Sequence, residues 1–315
     1  MLPFQALILV FSSFLLSYFL TPATIRLCET VGAMDNPDGK RKINTHPTPR
    51  LGGLAFFTAF FIIALPAALT NPFIAAILSG GAILVAGGFS DDVFNIPPPL
   101  KLIIQASAAL VAIAFIGAPE SISFFGFFNV SLSGALGVAF AVFKMLFTIN
   151  AINFSDGLDG LAAGLCAVAF VALSVYGFQN GNASVALYAL ILSSAVIGFL
   201  PYNRYKAKTF MGDAGSQFLG FSIALLSLGC SKNNAYTLET TLFLIIPALD
   251  TALSVARRLL KGKSPFVADK GHLHHILLKH GVRHPDAVRL LVLLNAAVAF
   301  IALVFYRFSY KSTLV

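Results

Sequence analysis

Charged residues and tryptophan are scarce in this chain. Only 11% of its 315 residues are Asp, Glu, Lys or Arg, and it contains no Trp. Water-soluble domains are about 25% charged, so the composition excludes a soluble nucleotide-binding sheet or sandwich. The three cysteines, Cys28, Cys166 and Cys230, are far apart and form no CxxC pair. We therefore expect packing residues rather than a disulfide framework or a zinc site.

Apolar residues dominate instead, at 57% of the chain with a mean hydropathy of +0.85. Long apolar runs are typical of helices that cross a bilayer. Ten such segments are present, at residues 3–20, 51–69, 72–89, 102–118, 134–149, 161–178, 183–200, 216–230, 238–255 and 290–305. The sequence therefore predicts an all-α polytopic membrane protein with about ten transmembrane helices in one domain, residues 1–315. Segment 3–20 lacks a signal-peptide pattern, so we interpret it as a retained first helix.

The polar connections all follow odd-numbered segments, at 26–50, 90–101, 150–160, 201–215 and 256–287. All Lys and Arg lie there or in adjoining helix ends except Lys232, Arg307 and Lys311. The positive-inside rule makes that face cytoplasmic and both termini external. The net charge of +8 is thereby explained without a nucleic-acid partner. Of the external connections, 121–133 alternates enough to form a small hairpin.

Carboxylates recur on the polar face. Asp91 and Asp92 end the third segment in GGFSDDVFNIPPP, and adjacent carboxylates repel unless a cation or a proton occupies one of them. They indicate a metal ligand or a base, with a solvated helix end as the plain alternative. In FMGDAGS, Asp213 precedes the eighth segment, where free backbone N–H groups favour phosphate.

The segment NAINFSDGLDGLAAG places Asn150, Asn153, Asp156 and Asp159 at three-residue steps. We expect the two Asp at the start of a helix and on one face, where the helix dipole favours anions. Helix capping is the simpler explanation for either Asp alone.

The last polar connection carries His272, His274 and His275 in DKGHLHHILLKHG. These histidines suit a phosphate substrate better than zinc, since no Cys or HExxH pattern is near. A basic loop that attracts anionic lipid is the alternative. Lys144 and Asp250 are expected to lie inside helices near their inner ends, where an ionisable group is costly and therefore indicates a functional role. The alternatives are snorkelling for Lys144 and, for Asp250, pairing to a basic residue such as Arg257, seven positions later.

Acidic clusters together with His and Lys on one membrane face fit phosphoryl transfer, because Mg²⁺ and cationic side chains stabilise phosphate while a carboxylate accepts a proton. A membrane scaffold is needed when one substrate stays in the bilayer, so a lipid phosphate is the expected acceptor. An ion- or proton-coupled transporter is the alternative from another class, but transporters place coupling groups near the midplane of repeated halves.

Five motifs in order resemble the polyprenyl-phosphate N-acetylhexosamine-1-phosphate transferase family, which includes the WecA-type and MraY-type enzymes. They are DNPDGKRKINTHPTPRLGG, GGFSDDVFNIPPPLKLIIQ, NAINFSDGLDGLAAG, PYNRYKAKTFMGDAGSQFLG and DKGHLHHILL. The resemblance implies transfer of a sugar 1-phosphate from a UDP-sugar to undecaprenyl phosphate in the bacterial inner membrane, with release of UMP. It also implies a requirement for Mg²⁺, with Mn²⁺ as a substitute.

The resemblance further implies the roles of individual residues. Asp213 is the expected metal ligand, and Asp91 or Asp92 the catalytic base, with Asp91 favoured. The expected substrate-binding residues are Lys42, Lys101, Asn150, Asn153, Asp156, Asp159, Asn203, Phe210, His272, His274 and His275. Phe210 is available for stacking on uridine.

The motif HLHH is closer to the WecA-type branch than to the MraY-type branch, whose three histidines are contiguous. The resemblance therefore implies a donor of N-acetylglucosamine 1-phosphate or a deoxy derivative, in the first step of an O-antigen-like polysaccharide. UDP-N-acetylmuramoyl-pentapeptide remains the alternative donor. A homodimer is compatible with the sequence, which does not determine the oligomeric state.

Overall fold

A computed structural model describes residues 3–37, 46–125, 127–132, 134–230, 235–262 and 271–312. Within these ranges the chain is almost entirely helical. The helices are α1 (Pro3–Val31), α2 (Gly53–Ala68), α3 (Pro72–Phe94), α4 (Pro98–Ile116), α5 (Ala135–Ser155), α6 (Leu161–Gln179), α7 (Ala183–Asn203), α8 (Gly212–Gly229), α9 (Ile245–Leu260), α10 (Leu273–Lys279) and α11 (His284–Ser312). A 3₁₀ helix, Leu238–Leu244, leads directly into α9.

Each of the ten predicted apolar segments overlaps a helix, which confirms an all-α polytopic membrane protein. Among the described residues, eight helices are long and apolar enough to cross a membrane, with the 3₁₀ helix and α9 counted as one. The two remaining segments correspond to α2, which has 16 residues, and to α8. Helix α8 begins with polar residues but is buried from Ala214 to Leu228, so its polar side chains face protein rather than lipid.

Local signals explain where several helices begin and end. Asn71 caps α3 by accepting a hydrogen bond from the backbone N–H of Phe73, and Pro72 occupies the first turn. Asn182 caps α7 by accepting from the N–H of Val185. Both are favoured N-terminal residues because an amide oxygen satisfies a free N–H.

The core surrounds α8, and glycines allow the helices to approach it closely. A Cβ atom on Gly53 of α2 would collide with the backbone of Gly215, and one on Gly88 of α3 with the backbone at Ala214. Small residues at these crossings let backbones touch. The start of α8 is thereby fixed against the ends of α2 and α3.

The short strands lie at the two ends of the bundle. The predicted hairpin is present, with β3 (Ser121–Phe124) antiparallel to β4 (Phe128–Ser131). A third strand, β5 (Ala235–Thr237), pairs in parallel with β3 and was not predicted. At the other end, Met34–Asp35 pairs with Thr48–Pro49.

Two sequence-based placements are wrong. Asp156 and Asp159 do not begin a helix, because α5 continues to Ser155 and α6 starts only at Leu161. They occupy the intervening turn, so a helix N-terminus does not explain them. Lys144 lies in the middle of α5 rather than near its inner end, and its ammonium donates to the hydroxyl of Thr241, at the hairpin end of the bundle.

Candidate active site

Two helix ends form the centre of the site. The carboxylate of Asp92, at the end of α3, accepts hydrogen bonds from the backbone N–H groups of Asp213 and Ala214, at 3.1 and 3.2 Å. Its Oδ1 also lies 3.2 Å from Nη2 of Arg50, and its side chain has no solvent exposure. Asp92 therefore satisfies two of the first N–H groups of α8 and fixes the position of the Asp213 backbone.

Asp91 faces the other way, toward the carboxylate of Asp213. Lys101, from the first turn of α4, forms ion pairs with both acids, and its Nζ lies 3.1 Å from Oδ2 of Asp213. The other oxygen of Asp91 accepts from the N–H of Ile96 at 2.9 Å. A single ammonium thus holds together two carboxylates from different helices, at a place where like charges would otherwise repel.

Polar side chains of α5 and α8 complete the cluster. Asn153 donates to Oδ1 of Asp213 at 3.0 Å and to the hydroxyl of Ser216 at 2.9 Å. Asn150, one turn earlier, donates instead to Oε1 of Gln105 at 2.8 Å. Asn153 therefore contacts the Asp213 carboxylate directly, whereas Asn150 does not.

The turn between α5 and α6 borders this cluster. Within the described residues, the carboxyl of Asp156 has no hydrogen-bond partner. Removal from water raises the pKa of this group to about 7, and the negative charges of Asp213 and Asp159 act in the same direction. Asp159 is attached to neighbouring segments, since its Oδ2 accepts from the N–H of Ala207 at 3.1 Å.

His272 is held by Asp250 of α9. Oδ2 of this carboxylate lies 2.9 Å from Nδ1 of His272, and Oδ1 accepts from the N–H of Leu273 at 2.9 Å. Asp250 thus pairs with His272 and satisfies the first N–H of α10, rather than pairing with Arg257, the alternative that its position two helical turns away had offered. The pairing also orients the His272 ring, which packs against Phe154 of α5.

His274 is buried beside the α5–α6 turn, where a Cβ on Gly157 would collide with its ring. Burial, together with the nearby His275 and His272, lowers the pKa of His274 to about 3. His274 is therefore neutral at physiological pH and offers hydrogen bonds rather than charge. A neutral His274 ring does not contribute positive charge that would neutralise a phosphate.

Asn203 and Phe210 flank the connection between α7 and α8. Asn203 is buried and donates to the carbonyl of Thr209 at 3.0 Å, while its own Oδ1 has no partner among the described residues. The Phe210 backbone is tied to Pro49 and Gly52, and the residue as a whole is partly exposed. Stacking of its ring on uridine stays a prediction.

One expected residue, Lys42, lies outside the described residues. Several contacts were not anticipated from the sequence, namely those of Arg50, Gln105, Gln217 and His284. Arg50 is the arginine of PRLGG, but only its proximity to Asp92 distinguishes it from an ordinary cytoplasmic arginine. Gln105 and Gln217 gave no separate signal, because a buried amide in an apolar helix has no characteristic spacing.

The donor set fits Mg²⁺. Within the described residues, no three His, Cys, Asp or Glu side chains form a metal site by themselves. Mg²⁺ is commonly bound by one or two carboxylates together with substrate phosphates. Asp213 supplies such a carboxylate, and Asp91 brings a second one close to it, since both pair with the ammonium of Lys101.

Comparison with known proteins identifies relatives over most of the chain. Residues 74–231, which include the carboxylate cluster, match the glycosyl transferase family 4 sequence model. The chain is 32% identical to the "Probable undecaprenyl-phosphate N-acetylglucosaminyl 1-phosphate transferase" of Bacillus subtilis, over 93% of this chain and 82% of that protein. It is 33% identical to the "Decaprenyl-phosphate N-acetylglucosaminephosphotransferase" of Mycobacterium tuberculosis, over 95% and 82%. A relative from Yersinia pestis, "Undecaprenyl-phosphate alpha-N-acetylglucosaminyl 1-phosphate transferase", is 32% identical over 89% and 79%.

Proposed function

Since this chain belongs to glycosyl transferase family 4, we propose that it transfers N-acetylglucosamine 1-phosphate from UDP-N-acetylglucosamine to undecaprenyl phosphate. The observation that carries the proposal is the pair of carboxylates, Asp91 and Asp213, joined by Lys101 at one end of a membrane-spanning bundle. The names of the relatives support the sugar and the lipid. They favour this donor over UDP-N-acetylmuramoyl-pentapeptide.

In the proposed reaction an oxygen of the lipid phosphate attacks the phosphorus that bears the sugar. A new P–O bond forms, the P–O bond to the uridylyl group breaks, and UMP leaves with the electron pair. The proton of the lipid phosphate passes to a carboxylate. The products are UMP and a lipid-linked pyrophosphoryl sugar.

Asp91 is the proposed base, because Asp92 is fully occupied by Arg50 and by the two N–H groups at the start of α8. Lys101 is placed to hold a phosphate oxygen, since it already binds two anionic groups in the same position. Asp92 acts on Asp213 and is thus a positioning residue.

Asp213 would hold Mg²⁺, or Mn²⁺ in its place, together with the donor diphosphate. The bound cation would neutralise charge on the phosphate oxygens. Asn153 keeps the Asp213 carboxylate oriented through its 3.0 Å hydrogen bond. Asp156, Asp159, Phe210 and the histidines border the space proposed for the nucleotide and the sugar.

The proposed orientation has the site facing the cytoplasm, where UDP-sugars are available. The polar connections that meet at the site carry most of the Lys and Arg, which supports this orientation by the positive-inside rule. Synthesis of an O-antigen-like surface polysaccharide is the proposed pathway.

The test is release of UMP by the purified protein in detergent with undecaprenyl phosphate, UDP-N-acetylglucosamine and Mg²⁺. Release should require the lipid phosphate and stop when divalent cations are chelated. Asp213→Asn should be inactive, whereas Asp286→Asn, at a partly exposed carboxylate in α11, should retain activity. Parallel reactions with deoxy-N-acetylhexosamine donors and UDP-N-acetylmuramoyl-pentapeptide identify the sugar. The proposal is wrong if no donor yields UMP, or if UMP forms without the lipid.

A further inference from the structure

His284, the first residue of α11, makes an unusual contact with the α5–α6 turn. The backbone N–H of Asp159 donates to Nε2 of His284 at 2.9 Å. A backbone N–H can only donate, so Nε2 must be unprotonated and the proton of the neutral ring is on Nδ1. The ring also packs against Tyr205 of the α7–α8 connection, with centroids 4.9 Å apart.

Asp159 connects three segments: the α5–α6 turn in which it lies, α11 and the α7–α8 connection. The main chain of Asp159 is bound to α11 by His284, while its carboxylate accepts from the N–H of Ala207 in the α7–α8 connection. The same turn carries Asp156, whose carboxyl has no hydrogen-bond partner among the described residues. The position of Asp156 therefore depends on how the backbone of the turn is held.

We propose that His284 is a positioning residue for the nucleotide-sugar donor, acting through the backbone of Asp159. The inference rests on the proposed function, in which this turn borders the donor. The Asp91–Lys101–Asp213 cluster is held by contacts among α3, α4, α5 and α8, none of which involves His284. Loss of the His284 contact should therefore weaken donor binding while the chemical step remains largely intact.

The decisive variants are His284→Gln and His284→Asn. The Oε1 of Gln is the same number of bonds from Cα as Nε2 of His, so Gln can accept the Asp159 N–H. The Oδ1 of Asn corresponds to Nδ1 and falls short. His284→Ala removes every acceptor, and His280→Ala, at an exposed position at the end of α10, is the matched control.

In steady-state assays, His284→Ala and His284→Asn should raise KM for the UDP-sugar about fivefold, the size of one net hydrogen bond. Both kcat and KM for the lipid phosphate should stay close to those of the parent. His284→Gln should restore the donor KM, and His280→Ala should not change it. Equal effects on kcat and both KM values, or failure of Gln to differ from Asn, would overturn the proposal.

Hydrogen exchange without substrate separates this inference from the proposed function. The amide of Asp159 should exchange faster in His284→Ala and His284→Asn than in the parent and His284→Gln. Unchanged exchange in His284→Ala would overturn the contact itself. If the parent releases no UMP, the proposed function fails, and the donor role fails with it even where exchange confirms the contact.

Discussion

Replacement of Asp92 by alanine tests whether this residue holds the start of α8. The variant leaves two backbone N–H groups, those of Asp213 and Ala214, without their acceptor inside the protein. It also removes the partner of Arg50. Because the Asp92 side chain has no solvent exposure, water cannot readily replace the lost contacts.

The size of the effect follows from these contacts. Hydrogen bonds to a charged group contribute about 1.5–3 kcal/mol each, and removing one partner of a buried ion pair costs about 3–5 kcal/mol. We expect Asp92→Ala to lower the free energy of unfolding by roughly 3–5 kcal/mol. At about 2–4 °C per kcal/mol for domains of 150–250 residues, the unfolding midpoint should fall by at least roughly 6 °C.

Asp286→Ala is the matched control, because Asp286, like Asp92, pairs with arginine. Its partners, Arg283 and Arg289, have side chains that are 81% and 75% exposed. Exposed pairs contribute at most about 1 kcal/mol. Asp92→Asn keeps one acceptor oxygen and should fall between the two variants.

Thermal unfolding in detergent can be followed with a thiol-reactive fluorescent dye, since all three cysteines are buried in the folded protein. A midpoint for Asp92→Ala no lower than that of Asp286→Ala would refute the assignment of Asp92 to the start of α8. With that result, Asp92 would again be a candidate for the catalytic base.

Three further expectations concern the base, the pH response and the orientation. Asp91→Asn should lower kcat by roughly 10²–10⁴-fold, as expected for loss of a general base, with the UDP-sugar KM nearly unchanged. That defect should shrink as pH rises, because a dianionic lipid phosphate needs no base, and a pH-independent defect would contradict the role. The pKa of Asp156 is raised to about 7 in the folded protein, so the native state binds more protons than the unfolded chain below that pH. The Asp156 carboxyl therefore contributes stability that is lost as pH rises from about 4 to 7, and the midpoint advantage of Asp156→Asn over the parent should grow over that window in thermal unfolding. A constant difference would show that Asp156 does not titrate there. In intact cells, a cysteine at Lys206 should react only with reagents that reach the cytoplasm, and one at Asn129 only with external reagents. The reverse labelling would place the site outside.

Much of the architecture was available from the sequence, because the bilayer imposes simple rules on composition. A segment in hydrocarbon must satisfy its own backbone hydrogen bonds and present apolar side chains, so all ten segments could be identified from hydropathy. The polar connections after odd-numbered segments likewise indicated that Asp91, Asp213 and His272 would meet on one face. The contacts of Asp91 and Asp213 with Lys101, and of His272 with the α5 residue Phe154, confirm that the motifs converge.

The roles within the site were decided only by tertiary structure. Asp91 and Asp92 are identical neighbours in the sequence, and one faces Lys101 while the other accepts from the start of α8, because the end of α3 packs beside α8. His284 had no motif around it, and its contact with the N–H of Asp159 joins positions 125 residues apart. Hydropathy reports on the solvent that surrounds a helix, whereas the direction of a carboxylate or an imidazole depends on which backbone groups a distant segment brings to it.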